Sequence, residues 1–102
     1  MFFQVPYIAP PNVEHDEIDH ETVFLNWENI GSQYVPGTLS GYVIKYRKYH
    51  ENQTTTLYLA ATSRTLRGMK PNTLYWIEIM GYTIAGTGPE EVVILTTPKG
   101  RK

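Results

Sequence analysis

The sequence contains no cysteine, so disulfides, iron–sulfur clusters, cysteine-ligated zinc and thiol nucleophiles drop out together. The compartment stays open, because a domain with an adequate core can be secreted without bridges. No apolar run approaches the roughly 18 residues that span a membrane. Met1-Phe2-Phe3-Gln4 lacks the basic start and long apolar region of a signal peptide. Helical periodicity is missing too: no stretch repeats its apolar residues at the spacing of an amphipathic helix. The formal net charge of -1 leaves no positive excess for a nucleic acid or an acidic membrane. Internal repeats and low-complexity tracts are absent as well.

What remains fits one domain. The chain has 102 residues, 41% hydrophobic and 19% charged, enough apolar content for a single core and too much for disorder. Its eight tyrosines suit a twisted sheet with half-buried faces. Short alternating stretches separated by turn signals predict seven strands, stacked as two antiparallel sheets. They lie near Val13–Asp19, Thr22–Glu28, Gly41–Tyr49, Thr54–Ala60, Ser63–Leu66, Tyr75–Thr83 and Val92–Thr97. Period-two alternation points Val23, Leu25 and Trp27 inward, with Tyr42, Ile44 and Tyr46 facing them and Val93 and Leu95 as the last inward pair. Gly86, Gly88 and Pro89 read as a hairpin loop. Val5 to Asn12 is proline-spaced and extended, a lead-in that shields the first edge strand.

One stretch narrows the fold further. From Leu66 the chain reads Arg-Gly-Met69-Lys-Pro71-Asn-Thr-Leu-Tyr75, then an alternating strand, then Gly86-Thr-Gly88-Pro89. With Trp27 and the Gly41-Tyr42-x-Ile44-x-Tyr46 run, this order resembles a fibronectin type III domain. The resemblance implies an all-β, immunoglobulin-like sandwich of seven antiparallel strands over residues 10–97. Residues 1–9 would then be a lead-in and 98–102 a C-terminal linker. It also implies a tyrosine corner, in which the Tyr75 hydroxyl returns to nearby backbone and fixes how the sheets meet. The expected core comprises Trp27, Tyr42, Ile44, Tyr46, Leu66, Met69, Pro71, Tyr75, Ile77, Ile79 and Leu95. Gly81 departs from the pattern, standing where the family usually carries alanine; so do Arg64, Glu90 and Glu91. Met1 reads as supplied for expression of a domain cut from a longer chain. Phe2, Phe3 and Val5 either pack on the domain edge or fray.

The chemistry-bearing residues are sparse. His15-Asp16-Glu17-Ile18-Asp19-His20-Glu21 holds two histidines and four of the chain's carboxylates within seven positions. In an extended segment they diverge to opposite faces, so the cluster reads as a solvated turn without metal. His50-Glu51 has no nearby nucleophile, Ser32, Ser40 and Ser63 lack a nucleophile-elbow context, and Gly86-Thr-Gly88 lacks the third glycine of a dinucleotide loop. No catalytic residue, metal or cofactor is expected. Asn52-Gln53-Thr54 matches an N-glycosylation acceptor in an expected exposed turn.

The outward rows are Val43, Lys45, Arg47 and Tyr49 on one strand and Trp76, Glu78, Met80 and Tyr82 on its neighbour. Two readings apply. Lys45 and Arg47 lie over Trp76 and Tyr82 with Glu78 as counter-charge, or Val43, Arg47, Tyr49, Trp76, Met80 and Tyr82 form a protein-contact surface. Tyr34, in the long loop Asn29–Leu39, is a further candidate contact. The resemblance implies a non-catalytic adhesion or spacer module of a multidomain extracellular or cell-surface protein, monomeric in isolation. Its partners would be proteins or neighbouring domains, not nucleic acid or membrane. A receptor's ligand-binding domain and an accessory module of an enzyme or intracellular filament protein are the alternatives.

Overall fold

The computed structural model describes residues 4–100; the expectations for Met1, Phe2, Phe3 and the last two basic residues lie outside these. The strands are β1 (Glu14–Asp19), β2 (Thr22–Asn26), β3 (Gly41–Lys48), β4 (Thr55–Leu59), β5 (Ser63–Leu66), β6 (Leu74–Thr83) and β7 (Gly86–Thr96). They form an all-β sandwich of two antiparallel sheets, ordered β1-β2-β5 and β4-β3-β6-β7. A single 3-10 turn, Ser32–Tyr34, interrupts the long β2–β3 loop.

The core forms where the inward rows meet. Val23 and Leu25 of β2, Ile44 of β3 and Ile77 and Ile79 of β6 are fully excluded from water, each such side chain contributing about 1.5–3 kcal/mol. Trp27, Tyr42, Leu66, Met69, Tyr75, Val93 and Leu95 complete the layer. Trp27 meets Tyr42 edge-on with ring centroids 5.6 Å apart, and its buried indole N–H has no hydrogen-bond acceptor. Tyr46 and Pro71, expected in the core, are only partly buried. Tyr46 pairs with Thr55 of the edge strand β4 and lines an open hollow there with Leu57 and Arg64. Pro71 sits on the turn itself, outside both sheets.

Two loop residues, Ile30 and Val35, also enter the core. Tyr42 explains how: its hydroxyl donates to Asn29 Oδ1 at 2.6 Å and accepts the Ile30 N–H at 2.9 Å. A buried tyrosine thus satisfies its polar end by pinning the loop above it. Ile30 needs room there, and Gly81 supplies it, since a Cβ at that position would lie 2.5 Å from Ile30 Cδ1. The missing methyl is the space that loop occupies.

The corner between β5 and β6 is held from two directions. Tyr75 Oη accepts the Lys70 N–H at 2.8 Å. Thr97, buried just beyond β7, donates its hydroxyl to the Lys70 carbonyl at 2.6 Å and accepts the Thr73 N–H at 3.0 Å. Backbone bonds Thr97 N–H to Thr73 O and Asn72 N–H to Pro98 O, each 3.0 Å, lay the chain's exit along the same turn. Gly68 and Asn72 take the positive φ values of 69° and 51° that the turn requires.

Two expectations are corrected, and one that left packing and fraying both open falls to packing. The segment Gly86–Pro89 is not a loop: the hairpin turns at Ile84–Ala85, and β7 begins at Gly86. The register shift between Met80 and Tyr82 sets Gly88 and Pro89 against the single residue Gly81, a β-bulge, the place where a proline is tolerated in a strand. Second, the lead-in is docked on the domain. Gln4 O accepts the Thr83 hydroxyl at 2.6 Å, and Tyr7 N–H donates to Tyr34 O at 2.8 Å. Pro6 is buried over the bulge, its carbonyl against Gly88 where a Cβ would come within 2.7 Å. Third, Pro6 covers the β6–β7 end rather than the edge of β1, whereas the Pro11 carbonyl accepts the Glu28 N–H at 2.9 Å just beyond β2.

Candidate functional site

The outer face of the four-stranded sheet is ordered by register. Cα pairing sets Tyr58, Val43 and Met80 side by side, then Thr56, Lys45, Glu78 and Val92, then Arg47, Trp76 and Ile94. Side chains opposite one another share a face, so the rows together span all four strands.

At one end of the face Arg47 lies over Trp76, its guanidinium carbon 5.4 Å from the ring centroid. Tyr49 flanks the same indole at 6.0 Å and meets His50 edge-on at 5.0 Å. Arg47 Nη1 also donates to the carbonyls of Tyr49 (2.6 Å), Glu51 (3.3 Å) and Lys48 (3.4 Å). The guanidinium therefore ties down the β3–β4 loop while covering an aromatic face, a packing role. Half-exposed Ile94 stands opposite Trp76 and extends this end apolarly.

At the other end Tyr82 crosses Gly41 to meet Tyr58 edge-on at 5.5 Å, with Tyr82 Cε1 3.2 Å from where a Gly41 Cβ would stand. Between the two ends Val43 and Met80 point outward yet are buried. Neither is available to a partner, which corrects their place among the contact candidates. The tyrosine pair closes one side of them, and the long side chains of Lys45, Glu78 and Glu90 rise on the other. Glu78, hydrogen-bonded to Glu90 and of like charge, holds the Glu90 carboxyl above its ordinary range, with Lys45 partly opposing.

Tyr34 stands apart from this face, exposed on the 3-10 turn beside the docked lead-in. The candidates therefore fall in three places. Tyr34 is in the loop, Tyr82 is at the Gly41 end of the sheet, and Arg47, Tyr49 and Trp76 are at the opposite end. Sequence reading missed Tyr58 and Ile94, although the alternation Thr54, Thr56, Tyr58 would have carried the outward row onto β4. Tyr7 and Ile84, exposed near Tyr34 and on the hairpin turn, had no periodic signal at all.

The acidic stretch lies on the edge strand β1. His15 contacts Glu17 at 2.5 Å, and Ile18 is the extra residue of a bulge that turns its side chain outward. The Glu21 N–H donates to Asp19 Oδ1 at 2.9 Å and, with the Thr22 hydroxyl, holds that carboxyl below its usual range. Among the described residues no three His, Asp or Glu side chains gather to hold a metal ion. Asn52 is exposed in the loop before β4, with the Thr54 hydroxyl donating to its carbonyl at 3.3 Å.

A family model described as "Fibronectin type III domain" matches residues 8–97. The chain is 28% identical to contactin-3 of Rattus norvegicus over 92% of its own length and 10% of that protein. It is 32% identical to contactin-2 of Rattus norvegicus over 82% of its length and 8% of that protein. It thus spans a tenth or less of these relatives. Among solved structures, the fn3 domain of human contactin 1 superposes with a TM-score of 0.82 at 21% identity, covering 100% of this chain and 89% of that one.

Proposed function

The chain belongs to the fibronectin type III family, and from that premise we propose that it is a non-catalytic spacer and protein-contact module of a multidomain extracellular or cell-surface protein. The relatives it matches include contactins, neogenin and a receptor-type tyrosine-protein phosphatase.

The observation that carries the spacer reading is where the chain comes in and leaves. Gln4 is tied to Thr83, at one end of β6, and Pro98 is tied to Asn72, just before its other end. Ten residues of strand at about 3.3 Å each put these points roughly 30 Å apart. Both attachments are hydrogen-bonded, so neighbours joined here are held at a fixed distance and angle. The aromatic ends of the outer sheet face, Tyr49 with Trp76 and Tyr58 with Tyr82, are the surfaces we assign to protein contact, and Asn52 is the position we assign to an N-linked glycan.

Exchange in the full-length protein tests the reading. Replacing this domain by an unrelated fibronectin type III domain should preserve binding between the flanking regions and their partners, whereas deleting it should not. Loss of partner binding on exchange, reproduced by Tyr49→Ser or Tyr58→Ser alone, would instead make contact the domain's main role. Indifference to deletion would refute the spacer role.

A further inference from the structure

We infer that this chain binds a second copy of itself edge to edge, Ile18 on β1 of one copy entering the open hollow beside β5 of the next. The hollow lies where the two sheets part, between β5 and β4, and encloses about 450 Å³. Buried Leu66 and partly buried Tyr46 and Leu57 line it, together with exposed Arg64 and Arg67. No carboxylate of the described residues does so. Neither arginine is ion-paired among the described residues, and Arg64 is held in place by pairing with Leu25 across β5 and β2. Such a site suits an apolar side chain flanked by negative charge.

The opposite edge of the same sheet presents that combination. β1 and β5 are the two outer strands of the order β1-β2-β5. Ile18 is the extra residue of the β1 bulge and is 56% exposed. Asp16 and Glu17 precede it and Asp19 follows. The Glu21 N–H keeps the Asp19 carboxyl ionised, and the only cationic partners of this stretch among the described residues are its own histidines, His15 on Glu17 and His20 on Glu21. A bulge blunts an edge against a further ladder strand, so the contact is made by side chains and not by main-chain pairing. An edge that had only to be blunted would gain nothing from an isoleucine at the bulge.

A net charge of -1 thus conceals an acidic edge and a basic one, and an approaching copy is steered to set one against the other. The two edges face opposite ways, so one partner cannot engage both. The contact is therefore heterologous and repeats as an open row. The strands run between the points where the chain enters and leaves, so a row leaves both ends of the domain free. One apolar side chain between two cations is a small contact, below the roughly 1,200 Å² of stable complexes, and the dilute chain stays monomeric.

Sedimentation equilibrium of the whole chain tests this. Up to about 1 mM in about 0.02 M salt, the weight-average mass should rise with concentration, and about 0.5 M salt should suppress the rise. Ile18→Ser, which leaves the charge unchanged, and Arg67→Ser should each weaken association about fivefold or more, whereas Lys45→Ser, the same charge change on another face, should stay within about twofold. None of these side chains lies in the core, and dichroism checks the fold. Because the chain has no cysteine, Ile18→Cys and Thr65→Cys proteins can be mixed and oxidised at low salt; the mixed disulfide should form in excess of a random mixture. A monomer at every concentration, full association of Ile18→Ser, equal losses in Arg67→Ser and Lys45→Ser, or a random mixture of disulfides would each overturn the contact. A monomer that nevertheless binds a synthetic peptide of residues 13–21 would give the hollow to a different acidic strand and would also overturn the self-contact.

Discussion

Thr97→Val is the most incisive perturbation of the corner. The two side chains have nearly the same shape, so no cavity opens, but the hydroxyl is lost. That hydroxyl is the donor to the Lys70 carbonyl (2.6 Å) and the acceptor for the Thr73 N–H (3.0 Å). Thr97 is 1% exposed, so water cannot readily replace it. The two groups left without partners are only partly buried, which puts each in the lower part of the roughly 1–3 kcal/mol range and the two together at about 2–4 kcal/mol. Against a total stability of about 5–15 kcal/mol for such a domain, that should lower Tm by roughly 10–25 °C. Thr97→Ser keeps the hydroxyl and loses one methyl group, so it should cost under about 1.5 kcal/mol. Tyr75→Phe, which strips the acceptor from the Lys70 N–H, should cost about 1–3 kcal/mol. Both side chains hold Lys70, so the double variant should depart from additivity by about 0.5–2 kcal/mol. Urea melts of the four proteins measure all of this. A Thr97→Val loss below about 0.5 kcal/mol, or one no larger than that of Thr97→Ser, would refute the reasoning.

Gly81→Ala should cost about 1–3 kcal/mol by overpacking, because its Cβ would meet Ile30 Cδ1 at 2.5 Å; Ile30→Val, which removes that methyl, should recover part of it in denaturant melts. Trp27→Ala should cost about 3–5 kcal/mol, whereas Trp27→Phe should cost under about 2 kcal/mol, since it also removes an indole N–H that has no acceptor. Glu90→Gln should raise Tm at pH 7. The folded-state pKa of Glu90 is raised by Glu78, so the repulsion exists only while the carboxyl is ionised, and the gain should fade as pH falls through that raised value. A gain that persists at about pH 3, where both carboxyls are protonated, would exclude this cause. Expression in secreting eukaryotic cells should yield a glycoform that peptide-N-glycosidase shifts and Asn52→Gln abolishes.

Much of the fold was legible because period-two alternation and turn chemistry agreed with each other. Trp27, Tyr75 and the Gly41–Tyr46 run place both sheets from the sequence alone. Ser63–Leu66 was bounded correctly by its flanking turns. What alternation cannot register is an insertion. The bulge at Gly88–Pro89 has turn-like residues inside a paired strand, and local chemistry alone reads as a loop there. Burial of Val43 and Met80 was equally invisible, because it depends on Tyr58 and Tyr82 meeting across Gly41 rather than on any property of positions 43 and 80. Alternation marks Thr97 only as the last residue of the final strand; its role appears only once the corner 24 residues away has been folded beside it.

The most direct test of the spacer geometry uses the absence of native cysteine. Spin labels on Gln4→Cys and Pro98→Cys should give one narrow distance distribution centred at roughly 30–40 Å, the strand separation plus label reach. A broad distribution, or one centred below about 20 Å, would contradict a rigid module whose chain arrives at one end and departs from the other.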